Sequence, residues 1–279
     1  MEKLLIVDGS NLLFQMFYGM PARIMGANGK PIQGTLGFVG ALRRMIGMVK
    51  PTHVVVLFDG ECENARRALD EDYKANRPDY SEIPEEEQPF SQLPDIYRAL
   101  DAMGIAHEET DCCETDDWIA AFVKKYGKEQ ELVIASQDSD YFQLISDTVR
   151  VLRYRGEKTV LCDTVWLREK LGVHPSRYAA FKALTGDHAD NIRGAEGIGP
   201  KTAAGLMAQF SDLESLLNGT EQIQKPSVRA SVERNAERLR KNYQLIYLDG
   251  NTELPFAWEE MAYRDLGYST KEILGRIGL

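Results

Sequence analysis

Three short apolar runs, each followed closely by an aspartate, place the strongest constraint on the fold. They span residues 4–7, 53–58 and 132–135, and they lead to Asp8, Asp59 and Asp138. Unbroken apolar runs of this length are typical of strands that are buried on both faces of a parallel sheet. Helical sequence follows the first two runs, as βαβ units require. We therefore predict an α/β fold with a central, mostly parallel sheet flanked by helices.

Two groups of acidic residues lie on either side of one predicted helix and one predicted strand. Glu114, Asp116 and Asp117 open the apolar stretch 118–123, and carboxylates suit the N-terminal turn of a helix. Asp138 and Asp140 follow the strand at 132–135. Because sites in open α/β sheets form at the carboxyl ends of strands, we expect these side chains to converge. Converging carboxylates repel one another unless a hard divalent cation lies between them.

The complete set of candidate metal ligands is acidic. It consists of Asp8, Asp59, Glu114, Asp116, Asp117, Asp138, Asp140, Asp187 and Asp190. A single aspartate at a strand end more often forms a turn or caps a helix, but the whole set predicts a metal site. No histidine or cysteine joins the pattern, which favours Mg²⁺, with Mn²⁺ as a substitute, over zinc. Two such ions promote in-line displacement at phosphorus, so we predict hydrolysis of a phosphodiester.

Composition limits the class of protein. A chain of 279 residues can form one large domain or two small ones. The formal net charge of −10 argues against a generally basic nucleic-acid binder, but not against local basic surfaces. No apolar run has the length of a membrane span, and no signal peptide is evident. The four cysteines, Cys62, Cys112, Cys113 and Cys162, lack metal-ligand spacing, which favours a reduced, cytoplasmic protein without membrane partners.

Residues 70–92 differ in character from the predicted sheet. A basic and aromatic stretch at 73–78 precedes an acidic, proline-containing stretch at 82–87, which indicates an exposed, mobile excursion. Lys74 and Arg77 are candidates to hold a scissile phosphate and offset its charge, whereas a solvated charge run is the alternative. Phe17 and Tyr18 follow the first aspartate at helical distance. They are candidates for stacking on a base, with packing in the core as the alternative.

After about residue 173 the sequence becomes helical. A glycine-rich turn at 194–199 leads into Pro200, a good first residue of a helix. Glycines before a helix allow backbone N–H groups to approach a phosphate, although ordinary turn chemistry is the alternative. The lysine spacing does not match a P-loop. We therefore expect sequence-independent contact with a DNA backbone, assisted by Lys201.

Taken together, these motifs resemble the flap endonuclease (5′-nuclease) family. They are VDG at 7–9, FD at 58–59, YKANRP at 73–78, ETDD at 114–117, DSD at 138–140, GDHADN at 186–191 and GIGPKTA at 197–203. They occur in the family's order and cover nearly the whole chain. The resemblance is to the bacterial branch, like the 5′→3′ exonuclease domain of DNA polymerase I, and the expected protein is a free-standing version. The chain departs from residues common in that branch at Gln15, Arg193 and Glu196.

The resemblance implies a PIN-like nuclease core over residues 1–173, with a helical arch at about 70–92. It implies a helical DNA-binding region over 174–279, with a helix–three-turn–helix element at about 186–210 and a K⁺ ion at the Gly197–Gly199 turn. By position, the first metal belongs to Asp8, Asp59, Glu114 and Asp116. Asp138 lies between the ions, Asp140 and Asp187 face the second, and Asp117 and Asp190 act directly or through water. The implied DNA contacts are Phe17, Tyr18, Tyr73, Lys74, Arg77, Gly197, Gly199, Lys201 and Thr202.

The expected function is that of a metal-dependent, structure-specific 5′ nuclease in DNA replication and repair. Its expected substrates are 5′ flaps, junctions and duplex ends, with RNA primers as a further substrate, and a monomer is expected. The residues expected to carry catalysis are Lys74, Arg77, Asp8, Asp116 and Asp138. Two alternatives remain open from the sequence. One is a PIN-like metal-dependent RNase, and the other is a non-catalytic module that binds DNA junctions.

Overall fold

A six-stranded sheet forms the centre of the protein. This computed structural model describes residues 1–20, 22–26, 29–60, 65–80, 82–111 and 113–279, so Cys62 and Cys112 lie outside the described residues. The strands are β1 (Lys3–Asp8), β2 (His53–Phe58), β3 (Ala106–Glu109), β4 (Glu131–Ala135), β5 (Val149–Arg153) and β6 (Val160–Cys162). Their order in the sheet is β3-β2-β1-β4-β5-β6. Neighbours are parallel except that β6 runs antiparallel to β5.

The central strands are buried on both faces, as their unbroken apolar runs predict. All of β2 is buried, and so is β1 from its second residue onward. Because side chains alternate along a strand, Leu4 and Ile6 join one hydrophobic cluster, whereas Leu5 and Val7 join another on the opposite face. The mostly parallel sheet predicted from the sequence is confirmed, and the carboxyl ends of β1, β2 and β4 lie along one edge.

Helices cover both faces of this sheet. The helices before residue 173 are α1 (Gly9–Gly19), α2 (Gln33–Val49), α3 (Ala65–Leu69), which has no buried residue, α4 (Leu93–Met103), α5 (Thr115–Tyr126) and α6 (Thr164–Leu171). Buried residues of α1, α2 and α4 pack in the cluster that contains Leu5, and those of α5 pack in the cluster that contains Leu4. The acidic residues before the apolar part of α5 therefore lie at its N-terminal turn, as predicted.

The C-terminal part is largely helical. Its elements are α7 (Tyr178–Thr185), β7 (Gly186–Asp187), β8 (Ile192–Arg193), α8 (Pro200–Gln209), α9 (Leu213–Asn218), α10 (Pro226–Arg234), α11 (Ala236–Ile246) and α12 (Thr270–Arg276). The β7–β8 hairpin was not expected, because two-residue strands carry no periodic signal. Its first residue, Gly186, has φ +79°, and a Cβ there would lie 2.4 Å from the backbone nitrogen of Gly194. Only glycine fits this close approach.

The last helix returns to the N-terminal part of the protein. Ile273, Leu274 and Ile277 pack in the same cluster as α2 and α4. The side chain of Arg43 on α2 also donates to Thr270 Oγ1 over 3.3 Å. The residues beyond 173 therefore include one helix that stabilises the sheet, in addition to those that surround the glycine turn.

The segment between α3 and α4 differs from the expected helical arch. Its described residues form turns and two short 3₁₀ segments, Glu85–Glu87 and Pro89–Gln92, rather than an α-helix. The expected exposure is corrected in part, because Tyr73 and Gln92 are buried. Tyr73 packs with Ala183 and Ile192, and Gln92 Oε1 accepts the backbone N–H of Thr35 over 2.8 Å. These anchors involve residues far away in sequence, so local sequence could not reveal them.

No helix in the described ranges is both long and apolar enough to cross a bilayer.

Candidate metal centre and nucleic-acid surface

Asp8 caps the helix that follows the first strand. Its Oδ1 accepts the backbone N–H of Asn11 over 3.0 Å. Its Oδ2 accepts the hydroxyls of Ser136 over 3.0 Å and Tyr141 over 3.2 Å. Burial raises the pKa of Asp8 to about 7, and the negative charge of Asp59 adds to the effect. Burial and the neighbouring carboxylates therefore favour the protonated form of Asp8, and a cation beside it would favour the ionised form.

The end of β2 is fastened to the start of α5. Asp59 is exposed, its backbone N–H donates to Ser10 Oγ over 2.8 Å, and its Oδ1 accepts the backbone N–H of Thr115 over 3.0 Å. The N–H of Glu114 donates to Asp117 Oδ2 over 3.2 Å, which closes the first turn of the helix. Free N–H groups at this helix end favour the neighbouring carboxylates.

Arg66 of α3 lies among the three acidic residues at the start of α5. Its guanidinium makes a close ion pair with Glu114, and it lies 3.1 Å from Asp116 Oδ1 and 2.8 Å from Asp117 Oδ1. Burial opposes its charge, but these carboxylates outweigh burial and raise the pKa of Arg66. Arg66 is not among the residues predicted from the sequence, since nothing in the local pattern indicates a partner about 50 residues away.

Lys74 also reaches this cluster from the turn after α3. Its Nζ makes an ion pair with Glu114 Oε1, while the hydroxyl of Tyr73 donates to Glu114 Oε2 over 3.1 Å. Burial raises the pKa of Glu114, but the charges of Lys74 and Arg66 outweigh burial and lower it overall. Asp116 differs, because burial raises its pKa well above its ordinary value despite Arg66.

A second group of carboxylates is formed by Asp140, Asp187 and Asp190. One oxygen from each lies within 4.8 Å of the others. Burial raises the pKa of Asp140 to about 7, with a further contribution from the charge of Asp138. Asp140 lies in the segment after β4, and Asp187 and Asp190 lie in the β7–β8 hairpin, so the fold brings together three of the predicted metal ligands.

Lys182 of α7 lies beside this second group and was missed by the sequence analysis. Its Nζ lies 3.1 Å from Asp140 Oδ1 and makes a close ion pair with Asp187. The ammonium of Lys182 is therefore shared between Asp140 and Asp187 and offsets part of the negative charge of this group. The apolar residues around Lys182 in sequence gave no signal of its role.

The second group fits a hard divalent cation. Its potential ligands are all carboxylate oxygens, one from each residue lies within 4.8 Å of the others, and the burial of Asp140 leaves room for a positive charge to stabilise its ionised form. Among the described residues, Asp8, Asp59, Asp116 and Asp138 do not form an equally tight group. The carboxylates of Asp59 and Asp138 are nevertheless close enough to Asp8 to raise its pKa. Glu114 is paired with both Arg66 and Lys74, and Asp117 is paired with Arg66 and accepts a backbone N–H.

The turn that carries Lys74 and Arg77 contacts the second group. The Arg77 guanidinium lies 3.2 Å from Asp190 Oδ1, and the backbone N–H of Lys74 donates to the Asp190 carbonyl over 3.0 Å. Burial raises the pKa of Asp190, although the charge of Lys74 opposes this. Lys74 and Arg77, the basic residues predicted to hold a phosphate, therefore both lie beside acidic residues of the candidate metal centre.

The predicted DNA-contacting aromatic residues are in different environments. Tyr18 is 60% exposed, and its hydroxyl lies 3.2 Å from that of Tyr80. Phe17 is half-buried and packs against the core cluster of α1 and α2. Tyr73 is 3% exposed, so its ring is not available at the surface and its polar contact is with Glu114.

The glycine turn is exposed before α8. Gly197 has φ +74°, which glycine adopts without strain, and Gly199 precedes Pro200 without a side-chain cap. Gly197, Gly199 and Lys201 are exposed, and Thr202 is half-buried. The first N–H groups of α8 are therefore open to an anion.

Three residues that depart from the common pattern have defined partners. Glu196 accepts from Arg238 over 2.9 Å and from Asn235 over 2.8 Å, and Arg193 lies 3.5 Å away. The hydrogen bond from Arg238 is the main reason that the pKa of Glu196 is lowered to about 2. Gln15 donates to the carbonyl of Tyr154 over 2.7 Å. Glu196 thus connects the glycine turn to the side chains of Asn235 and Arg238, and Gln15 connects α1 to the backbone of Tyr154.

Comparison with known proteins identifies relatives along almost the whole chain. Residues 3–172 match the 5′-3′ exonuclease N-terminal resolvase-like domain, and residues 173–268 match the 5′-3′ exonuclease C-terminal SAM fold. A 5′-3′ exonuclease of Aquifex aeolicus is 30% identical over 263 residues, which cover 94% of this chain and 86% of that protein. Thermostable DNA polymerase I of Thermus filiformis is 33% identical over 98% of this chain, which spans only 31% of the polymerase.

Solved structures share the fold. A complex of the bacteriophage T5 flap endonuclease with DNA and metal ions has a TM-score of 0.73 and 24% identity, covering 88% of this chain and 89% of that one. The catalytic core of Rad2 in complex with a DNA substrate has a TM-score of 0.59 and 17% identity, covering 99% and 93%. The predicted fold class is thereby confirmed. The two matching domain models and the Aquifex relative lead to one conclusion: this chain is a member of the 5′-3′ exonuclease family, the class of nuclease that its motifs predicted.

Proposed function

We propose that this chain is a structure-specific 5′ nuclease that hydrolyses phosphodiester bonds of DNA at 5′ flaps, junctions and duplex ends. The observation that carries the proposal is the group of Asp140, Asp187 and Asp190, whose oxygens lie within 4.8 Å of one another. The turn with Lys74 and Arg77 is bound to the same group through Asp190. Carboxylates that gather cations, faced by basic side chains, suit the cleavage of an anionic substrate.

The acidic residues would hold two divalent ions, which we propose are Mg²⁺, with Mn²⁺ as a substitute. Asp140, Asp187 and Asp190 would hold one ion, Asp8, Asp59 and Asp116 the other, and Asp138 would lie between them. When bound, the ions supply an activated water and stabilise charge on the leaving oxygen. The chain keeps these carboxylates in place with hydroxyl donors at Asp8 and with Lys182 at Asp140.

Lys74 and Arg77 are proposed to hold the scissile phosphate. The side chain of Arg77 is 55% exposed and can turn toward a substrate, whereas that of Lys74 is mostly buried against Glu114. A fixed ammonium at this place can offset charge that develops in the transition state without a large reorganisation. Lys74 is therefore proposed for catalysis and Arg77 for both binding and catalysis.

The exposed turn before α8 is proposed to grip the DNA backbone. Open N–H groups at Gly199 and beyond, together with the exposed Lys201, suit a phosphate. We propose that a K⁺ ion at the Gly197–Gly199 turn supports this contact. Tyr18 is proposed to stack on an unpaired base, because its ring is exposed on the helix that Asp8 caps.

The experiment that tests this function is metal-dependent product mapping. A 5′-flap DNA labelled at either end is incubated with the protein in Mg²⁺, in Mn²⁺ and in EDTA, beside a single-stranded RNA. We expect cleavage near the flap junction only with a divalent ion. Cleavage of RNA alone would instead support the metal-dependent RNase.

A double variant provides the control for contamination. Asp8→Asn with Asp140→Asn removes two buried carboxylates while conserving their shape, and we expect no product. Binding of flap DNA by the wild-type protein without cleavage in any metal would support a non-catalytic junction-binding module. A flap with an RNA segment at its 5′ end tests the removal of RNA primers.

The cellular role follows from the class of relatives. We propose that the protein acts in replication and repair, including the processing of Okazaki fragments, because the matching region occurs within DNA polymerase I. We also propose that it acts as a monomer. Size-exclusion chromatography with light scattering, with and without flap DNA, tests this state.

A further inference from the structure

Arg66 is the least expected member of the site. Its side chain is 11% exposed, and its guanidinium contacts Glu114, Asp116 and Asp117 at the start of α5. We infer that Arg66 is a positioning residue: it holds Glu114 and Asp117 outside direct metal coordination and presents Asp116 to the first ion. This inference rests on the proposed metal-dependent function.

The oxygen atoms of Glu114 already have partners. Oε1 is paired with Lys74, and Oε2 is paired with Arg66 and accepts from Tyr73. A carboxylate that is engaged by two cations has little remaining capacity for a third. The structure therefore favours a role for Glu114 in holding the cations of the protein over a role as a direct ligand.

Asp117 is engaged in the same way. Its Oδ1 accepts from Arg66 over 2.8 Å, and its Oδ2 accepts the N–H of Glu114 over 3.2 Å. Asp117 Oδ2 also accepts from Arg66 over 3.4 Å, so both oxygens orient the guanidinium while Oδ2 closes the helix start. Together these contacts determine where the plane of Arg66 lies.

Asp116 is different because only one of its oxygens is used. Arg66 lies 3.1 Å from Oδ1, while Oδ2 has no hydrogen bond to any residue in the described ranges. The contact to Oδ1 fixes the carboxylate plane and leaves Oδ2 available. Of the three acidic residues, Asp116 is thus the one that the geometry assigns to a metal ion.

Charge and shape both favour arginine in this position. Its planar guanidinium has five donors and stays charged in proteins, so it can engage three carboxylates at fixed angles. Without it, three half-buried negative groups in one helical turn would repel one another and lose a common orientation. Residues that orient metal ligands typically change metal affinity about 10–100-fold when they are replaced.

The test measures metal binding directly. Mn²⁺ is titrated into the full-length protein and followed by electron paramagnetic resonance, with circular dichroism to establish folding. We expect Arg66→Ala to weaken binding of the first ion about 10-fold or more, and Arg66→Lys to restore part of the affinity. Arg67→Ala is the matched control, because Arg67 is exposed on the same short helix, and we expect no change.

The possible outcomes distinguish a failure of the inference about Arg66 from a failure of the proposed function. Wild-type protein that neither binds Mn²⁺ nor cleaves DNA would overturn the function itself. If the wild type is active and folded Arg66→Ala binds Mn²⁺ as tightly, the inference fails and Arg66 is only a structural ion pair. Tighter binding would also overturn it, since the guanidinium would then compete with the ion. If Arg66→Ala does not fold, the same Mn²⁺ titration is made with Arg66→Lys. Weaker binding than the wild type then supports the inference, and equal or tighter binding overturns it.

Discussion

The backbone N–H of Lys74 donates to the carbonyl oxygen of Asp190 over 3.0 Å. Two side-chain amides strengthen this contact: Asn76 donates to the carbonyl of His188 over 2.9 Å, and Asn191 donates to that of Asp72 over 2.8 Å. The turn that carries the proposed catalytic lysine is therefore fastened to the hairpin that carries two carboxylates. Catalytic geometry then depends on contacts between segments more than 100 residues apart.

Replacing Lys74 should affect the rate of cleavage more than the binding of DNA. We expect Lys74→Ala to slow single-turnover cleavage of a 5′ flap about 10²–10³-fold, because it removes a fixed positive charge at the reacting phosphate. Duplex affinity, measured by fluorescence anisotropy in Ca²⁺, should change less than about 3-fold, since Lys74 is mostly buried against Glu114. An equal loss of rate and affinity would instead indicate that Lys74 is an ordinary binding residue.

Asn191 should act by positioning the turn of Lys74. We expect Asn191→Ala and Asn191→Gly to slow cleavage similarly, about 10-fold, because both lose the amide that holds Asp72. Their stabilities should differ, because Asn191 has φ +59°, which strains alanine but not glycine. Thermal unfolding and single-turnover rates are measured together. Recovery of the rate in the glycine variant would show that backbone strain, not the amide, is responsible.

Local rules explain what could be predicted from the sequence. The positions of Asp8, Asp59 and Asp138 follow from buried strands that end at one edge of a parallel sheet. The placement of Glu114 and Asp116 follows from the preference of carboxylates for the first turn of a helix. Each of these features depends on a few neighbouring residues, so the motif alone contains the required information.

What could not be predicted depends on tertiary packing. Arg66 lies on a five-residue helix with no periodic signal, and its partners come from another element. Lys182 lies in an otherwise apolar helix, and its contact with Asp140 requires that helix to pack beside the end of β4. Tyr73 is buried within a segment of charged residues. In each case the deciding contact crosses between distant segments.

Asp8→Asn should stabilise the metal-free protein at neutral pH. Burial raises the folded-state pKa of Asp8 from 3.8 to about 7, so the folded protein retains a proton that the unfolded chain has lost between these values. The free energy of unfolding of the wild type therefore falls as pH rises through this window. Asparagine does not ionise, so in EDTA at pH 8 we expect a melting temperature a few degrees higher, equivalent to about 1–3 kcal/mol.

The same measurements at pH 5 provide the internal control. There the wild-type carboxyl is largely protonated in the folded state, and the advantage of Asp8→Asn should shrink. Mg²⁺ should raise the melting temperature of the wild type at pH 8 and have less effect on the variant, since ligands must be deprotonated to bind a metal. A difference between the proteins that does not vary with pH would contradict the raised pKa of Asp8.

Lys201 should contribute to binding through a phosphate contact. We expect Lys201→Ala to weaken duplex affinity and to reduce the slope of log K against log salt by about 0.9, as loss of one phosphate contact predicts. The cleavage rate at saturating DNA should be unchanged. Lys271→Ala is the matched control, because Lys271 is exposed on α12, which packs against α2 and α4. An unchanged salt slope in Lys201→Ala would exclude the backbone contact.

Glu196→Ala should weaken DNA binding even though it removes a negative charge beside the proposed phosphate path. The carboxylate of Glu196 accepts from Arg238 and Asn235, and its carbonyl accepts from Ser231 over 2.7 Å, so the residue anchors the glycine turn to α10 and α11. Arg238 and Arg193 already offset its charge. We therefore expect loss of the side-chain anchor to outweigh the relief of repulsion, with affinity for flap DNA about 3–10-fold lower at constant salt.

Glu214→Ala, which breaks a comparable pair with Arg240, is the control and should leave affinity unchanged. Tighter binding by Glu196→Ala would show that its charge, and not its anchoring contacts, dominates at this surface.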